Sequence, residues 1–253
     1  MVSFCAHLAG GKGMKWLNPS LGLWAMFAGW LAVCSSHAAE PLEAILDRWL
    51  TAQTNLHTFS AGFLQTRTLR SLAQPVTTEG RLWFEAPSNF RWELGAPPQT
   101  IALRQTNRLW VVYPPQKRIE LYELENASSH WRGMLALLDA GFPRSRAELE
   151  SRYRIERLEQ TNDVIQVTLI PRSAAARRLA PEICLGFEPN QNVLRYTIMK
   201  LTDGSLMRQD FTNTVLNPVW TESPFVWTPP PGFEVTRPLD RTGVRTGAGK
   251  ALR

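Results

Sequence analysis

The chain has 253 residues, 44% of them hydrophobic and 20% charged, which suits a folded domain and argues against disorder over most of its length. Its formal charge of +6 falls to +4 once Lys12 and Lys15 leave with an N-terminal leader, and several remaining bases sit in a C-terminal tail. The folded body is therefore near neutral, without the basic face a nucleic-acid binder needs.

Lys15 precedes an apolar run from Leu21 to Val33, then Ser36-His37-Ala38 and Ala39-Glu40. A charged start, a short apolar core and small residues describe a secretory signal peptide over residues 1–38, with 1–13 as a possible upstream extension. The run is too short for a membrane-spanning helix. Leu31-Ala32-Val33-Cys34 resembles a lipobox, but Val33 is a poor fit directly before the cysteine. Cleavage after Ala38 leaves Cys184 as the one cysteine, which has no internal disulfide partner.

Pro41 to Leu56 reads as an amphipathic helix, with Leu42, Ile45, Leu46, Trp49 and Leu50 at helical spacing. Phe59 to Arg70 reads as a strand. Arg81 to Glu85 and Phe90 to Leu94 form a hairpin around Ala86-Pro87-Ser88-Asn89. Side chains alternate along a strand, so Phe90, Trp92 and Leu94 face one way and Arg91 and Glu93 the other. By the same rule Leu82 and Phe84 face inward and Trp83 outward. One face is greasy, the other ionic.

Thr100 to Leu103, Leu109 to Tyr113 and Arg118 to Leu124 continue the β pattern. Residues 126–140 switch to helical spacing, with Trp131, Met134, Leu135 and Leu138 on the apolar side before Gly141 and Pro143. Ser145 with Glu148 makes a capping-box pattern for a short helix. Strands follow at Tyr153 to Leu158, Val164 to Ile170, Ile183 to Glu188, Val193 to Leu201 and Ser205 to Val215, the last pair joined by Asp203-Gly204. Phe225-Val226-Trp227 reads as a last short strand. Residues 237–253 have no apolar period and read as a basic disordered tail.

Around ten antiparallel strands with two or three helices predict a mainly β (α+β) domain over residues 39–236. A strongly curved sheet of that size curls toward a barrel. No Gly-x-Ser-x-Gly elbow, phosphate loop, dinucleotide fingerprint or metal-spaced cluster surrounds His57 or His130, so neither an enzyme nor a metal or cofactor site is expected. Seven tryptophans outlast the leader. By composition a plain core is the default, and apolar cavities are lined by the same residue types, so composition does not separate the two.

Phe59-Ser60-Ala61-Gly62-Phe63-Leu64-Gln65, Gly80-Arg81-Leu82-Trp83 with Pro87 and Phe90-Arg91-Trp92, and Phe225 to Gly232 resemble the LolA family of periplasmic lipoprotein carriers. Leu109-Trp110 with Pro114 and Leu169-Ile170-Pro171-Arg172 extend the likeness to about Leu42–Val235. The resemblance implies an unclosed antiparallel β-barrel under an α-helical lid, holding acyl chains of lipoproteins or another envelope lipid. It implies a monomeric periplasmic carrier, loaded by an inner-membrane lipoprotein-releasing ABC transporter and emptied onto an outer-membrane receptor.

On that fold Leu82, Phe84, Phe90, Trp92 and Leu94 form the sheet side of the lipid site. Leu46, Trp49, Leu50, Met134, Leu135 and Leu138 form the lid side. Where the family often carries a lid-latching arginine before the hairpin proline, this chain has Ala86. The alternatives are a membrane-anchored receptor of the same fold, tethered through Cys34, and an envelope sensor or scaffold binding protein through the groove.

Overall fold

The computed structural model describes residues 40–124 and 142–237. The signal segment, the predicted lid residues Met134, Leu135 and Leu138, and nearly all of the basic tail lie outside them.

Twelve strands form one sheet in the order β12-β6-β5-β4-β3-β2-β1-β11-β10-β9-β8-β7. They are β1 (Thr58–Thr68), β2 (Val76–Glu85), β3 (Asn89–Leu94), β4 (Thr100–Gln105), β5 (Arg108–Tyr113) and β6 (Arg118–Glu123), then β7 (Tyr153–Thr161), β8 (Val164–Pro171), β9 (Glu182–Glu188), β10 (Val193–Lys200), β11 (Leu206–Leu216) and β12 (Glu234–Thr236). The end strands β7 and β12 do not pair, so the expected unclosed, antiparallel, mainly β fold is what forms; the short β12 alone runs parallel to its neighbour β6. Extra residues bulge the ladder at Ser60/Gly62, Ile155/Arg157 and Leu194/Tyr196, and such bulges bend and twist a sheet.

Helix α1 (Leu42–Gln53) buries Ile45, Leu46, Trp49 and Leu50 on the stripe its spacing dictates. Helix α2 (Arg146–Arg152) starts as its capping box predicts. The Ser145 hydroxyl accepts the Glu148 N–H at 3.1 Å, and the Glu148 carboxylate reaches back to the Arg144 N–H at 3.0 Å. Arg146 ties the two helices together through Glu43 and Asp47. The Asp203-Gly204 turn forms as expected, with Gly204 at φ +84° and the Asp203 carboxylate accepting the Ser205 N–H at 2.8 Å.

Three elements differ from the sequence expectation. Strand β2 begins five residues before Arg81, because Val-Thr-Thr-Glu-Gly, exposed or half-buried, pairs with β1 without any apolar alternation to announce it. Helix α3 (Ala174–Leu179), capped by Ser173, lacks the large apolar period that marks a helix. Phe225-Val226-Trp227 joins no ladder. Its polar backbone and rings are held instead by side chains: Arg91 Nη1 donates to the Pro224 carbonyl at 2.9 Å, Gln105 Nε2 donates to the Phe225 carbonyl, and Trp227 lies 5.5 Å from the Trp110 ring.

This strap corrects a further expectation. Arg91 and Glu93 point outward, yet Glu93 is buried and ion-paired to Arg91 at 2.6 Å. The outer face of β3–β6 carries its own small core of Leu103, Val112, Ile119 and Leu121, with Phe225 buried beside the strap contacts. A single-strand pattern shows a polar face; it cannot show a later segment crossing it.

Candidate functional site

Register and alternation place three rows of side chains on the core-facing side of β1–β3. Phe59 faces Phe84, which faces Phe90; Ala61 faces Leu82, which faces Trp92; Phe63 faces Gly80, which faces Leu94. All five residues expected on the sheet side of the site therefore share one wall. Gly80 has a packing reason: a Cβ there would stand 2.2 Å from Phe63 Cζ. With no side chain in the way, the Phe63 ring spreads over Gly80 and stacks on Trp92 at 5.8 Å.

The wall carries one aromatic that the sequence reading passed over. Phe142 stacks on Phe84 with ring centroids 4.5 Å apart and meets Phe59 edge-on at 5.1 Å. It comes from the loop before α2, between Gly141 and Pro143, where helix-stop residues draw attention away from the aromatic they flank.

The lid-side residues divide. Leu46, Trp49 and Leu50 are 0–2% exposed and lie in the main core, with Trp49 stacked on Phe187 of β9 at 4.4 Å. Helix α1 packs on β7, and these residues share one core cluster with Phe84 and Phe90. Met134, Leu135 and Leu138 are outside the described residues.

Toward β6 the wall turns polar. The Phe84–Phe90 row continues through Arg104 and Leu109 to Tyr122, and the Leu82–Trp92 row through Ala102 and Val111 to Glu120. Glu120 accepts hydrogen bonds from the Tyr122 hydroxyl at 2.8 Å and from Arg118 at 2.5 Å. Burial, then the neighbouring Glu120 carboxylate, pushes the Tyr122 phenol well above its ordinary pKa; burial does the same to Tyr113. The cluster is held closed on itself by these hydrogen bonds.

An open depression of about 590 Å³ lies on the other side of the sheet, lined by outward residues including Ser60, Leu64, Arg81 and Trp83. Cys184 is buried near the Thr168 hydroxyl, and burial raises its thiol pKa, the reverse of what a nucleophile requires. Among the described residues, no three His, Cys, Asp or Glu side chains gather to hold a metal. At the expected latch position Ala86 offers only a methyl group, packed against the core.

The family model for "Outer membrane lipoprotein carrier protein LolA" matches residues 54–228. The chain belongs to the LolA family. Within it, the chain is 27% identical over 188 residues to the outer-membrane lipoprotein carrier protein of Hahella chejuensis, covering 72% of this chain and 83% of that one. It is 23% identical over 213 residues to the carrier of Nitrosomonas europaea, covering 82% and 95%. Among solved structures, a LolA superfamily protein of Nitrosomonas europaea aligns over 72% of this chain and 96% of its own at 14% identity and a TM-score of 0.36. An uncharacterized conserved protein of Thermus thermophilus aligns over 77% and 98% at 10% identity and a TM-score of 0.45. The matched span of the LolA model takes in all three rows of the β1–β3 wall and Phe142, but not α1.

Proposed function

We propose that this protein is a periplasmic carrier that shields lipoprotein acyl chains against the β1–β3 wall during transfer from the inner to the outer membrane. The reading rests on one observation: an aromatic wall on an unclosed sheet, over which, among the described residues, the loop ring of Phe142 lies. Each acyl CH₂ kept from water is worth ~0.8 kcal/mol, so an anchored lipid needs a dry surface to cross an aqueous space. Phe142 supplies that surface with a resident substitute. Cargo that displaces it exchanges one apolar contact for another, which keeps loaded and empty states close in free energy and permits handover. The role is binding without bond chemistry.

The sheet-side residues Leu82, Phe84, Phe90, Trp92 and Leu94 contact the chains, while Leu46, Trp49 and Leu50 anchor α1 as the fixed base. Met134, Leu135 and Leu138 complete the cover. Loading by an inner-membrane transporter and delivery to an outer-membrane receptor follow from the same reading. Trp92 is only partly buried, so Trp92→Glu places a charge on the wall while leaving the core intact. The variant is expected to fold, by circular dichroism, and to lose the lipid that mass spectrometry finds in wild-type protein purified from the periplasm. Equal lipid in both proteins would remove the wall from the site.

A further inference from the structure

At the end of the sheet where β1 meets β2 and β10 meets β11, three loops come together. Arg70 lies across the 203–204 turn, its Nη1 donating to the Asp203 carbonyl at 3.4 Å and its Cδ closing over Gly204. The Thr202 hydroxyl bonds to the Arg178 carbonyl at 3.2 Å, which joins α3 to the same turn. Every residue from Ser71 to Thr77 is exposed. This end holds three of the large apolar side chains that stand in solvent: Leu72, Val76 and Leu206 are 48%, 44% and 40% exposed.

The register interleaves them with cations. Val76 faces Arg67 across β1–β2, and Leu206 faces Lys200 across β10–β11. Arg70 and Arg178 add two more exposed charges. Among the described residues none of these four cations makes an ion pair, whereas the arginines of β7 each pair with a glutamate along their own strand. Nearby acids are Asp203, which accepts the Ser205 N–H and is also drawn electrostatically to Arg70, and Glu182, which faces Lys200. The end is thus apolar at its tips and basic around them.

We propose that this end docks on an anionic phospholipid surface, with Leu72, Val76 and Leu206 entering the headgroup layer and the four cations meeting lipid phosphates. Scattered apolar tips rimmed by unpaired cations match an interface that yields to insertion and carries negative charge. A protein partner would instead be met by a flat, closely packed patch with an apolar centre. Arg67 and Val76 stand two same-face pairs beyond Phe63 and Gly80, at the end of the sheet, and none of the docking residues is one of the wall residues.

The test is cosedimentation of the full mature chain with vesicles of phosphatidylethanolamine and phosphatidylglycerol, and with phosphatidylcholine alone. Binding is expected to the anionic vesicles and to weaken as salt rises. Arg67→Glu with Arg70→Glu should lower it by roughly 25-fold, and Leu72→Asp by roughly tenfold. Arg108→Glu, at the far end, should leave it unchanged, as should ending the chain at Arg237. Both docking variants should still carry lipid, so loss of docking reads independently of loss of cargo. The proposal fails if wild-type protein ignores anionic vesicles, including the case in which it captures only an acidic protein. It fails equally if the docking variants bind like wild type, or if removing the tail or changing Arg108 abolishes binding.

Discussion

The two halves of the core-facing side of the sheet are built from the same residue types and are sealed to different degrees. On β8 and β9, Ile165, Val167, Leu169 and Phe187 are fully sealed, with Trp49 of α1 laid flat on Phe187. On β2 and β3, Leu82, Phe84 and Phe90 keep 7–8% exposure, and Trp92 and Leu94 keep more. The difference is the cover. A whole helical stripe interdigitates with one half, and displacing it would reopen the core. The other half is covered, among the described residues, by Phe142, one ring on a loop between a glycine and a proline. One half is sealed under a helix, and the other is the surface on which the proposed exchange of partner would take place.

That contrast gives a graded set of expectations. Trp49→Ala should be the most damaging, costing about 3–5 kcal/mol in urea unfolding, because the cavity it leaves lies between a helix and a sheet that cannot both relax. Phe142→Ala should cost less, about 2 kcal/mol, and should speed uptake of a fluorescent acyl probe, since the resident ring no longer competes. Equal losses for the two variants would abolish the distinction between halves. The polar border beyond the exchangeable wall should matter least. Tyr122→Phe removes one hydrogen bond to Glu120, worth about 1 kcal/mol.

The same tyrosine predicts a pH dependence. Its phenol ionises later in the folded protein than in the unfolded chain, so its stabilising contribution is complete below about pH 10 and is lost as pH rises toward the elevated folded value. Melting temperature should fall more steeply above pH 10 in wild type than in Tyr122→Phe. Parallel curves would show that the Glu120 cluster does not couple to folding.

Much of the architecture could be read from local pattern. The alternation in Phe90 to Leu94 assigns its faces correctly, and the α1 stripe, the Ser145–Glu148 cap and the Asp203-Gly204 turn all form where their residues stand. Each depends on chemistry within a few positions along the chain. Helix α3 and the first half of β2 escaped that reading because both are short of large apolar residues. Phe142 escaped because a lone aromatic in a loop has no period at all.

What the residue order determined alone, then, was which side chains share a face: period two for β1–β3, period 3.6 for α1. What covers each face was decided only when distant segments met. Glu93 is buried because a strap some 130 residues later in the chain crosses it, with the Pro224 carbonyl bonded to Arg91. Leu46, Trp49 and Leu50 are sealed because α1 settled on the sheet with Trp49 stacked on Phe187 of β9, a partner more than a hundred residues away in the chain. Hydrophobic burial is non-directional, so a sequence can mark a surface as apolar without saying which other apolar surface will close it.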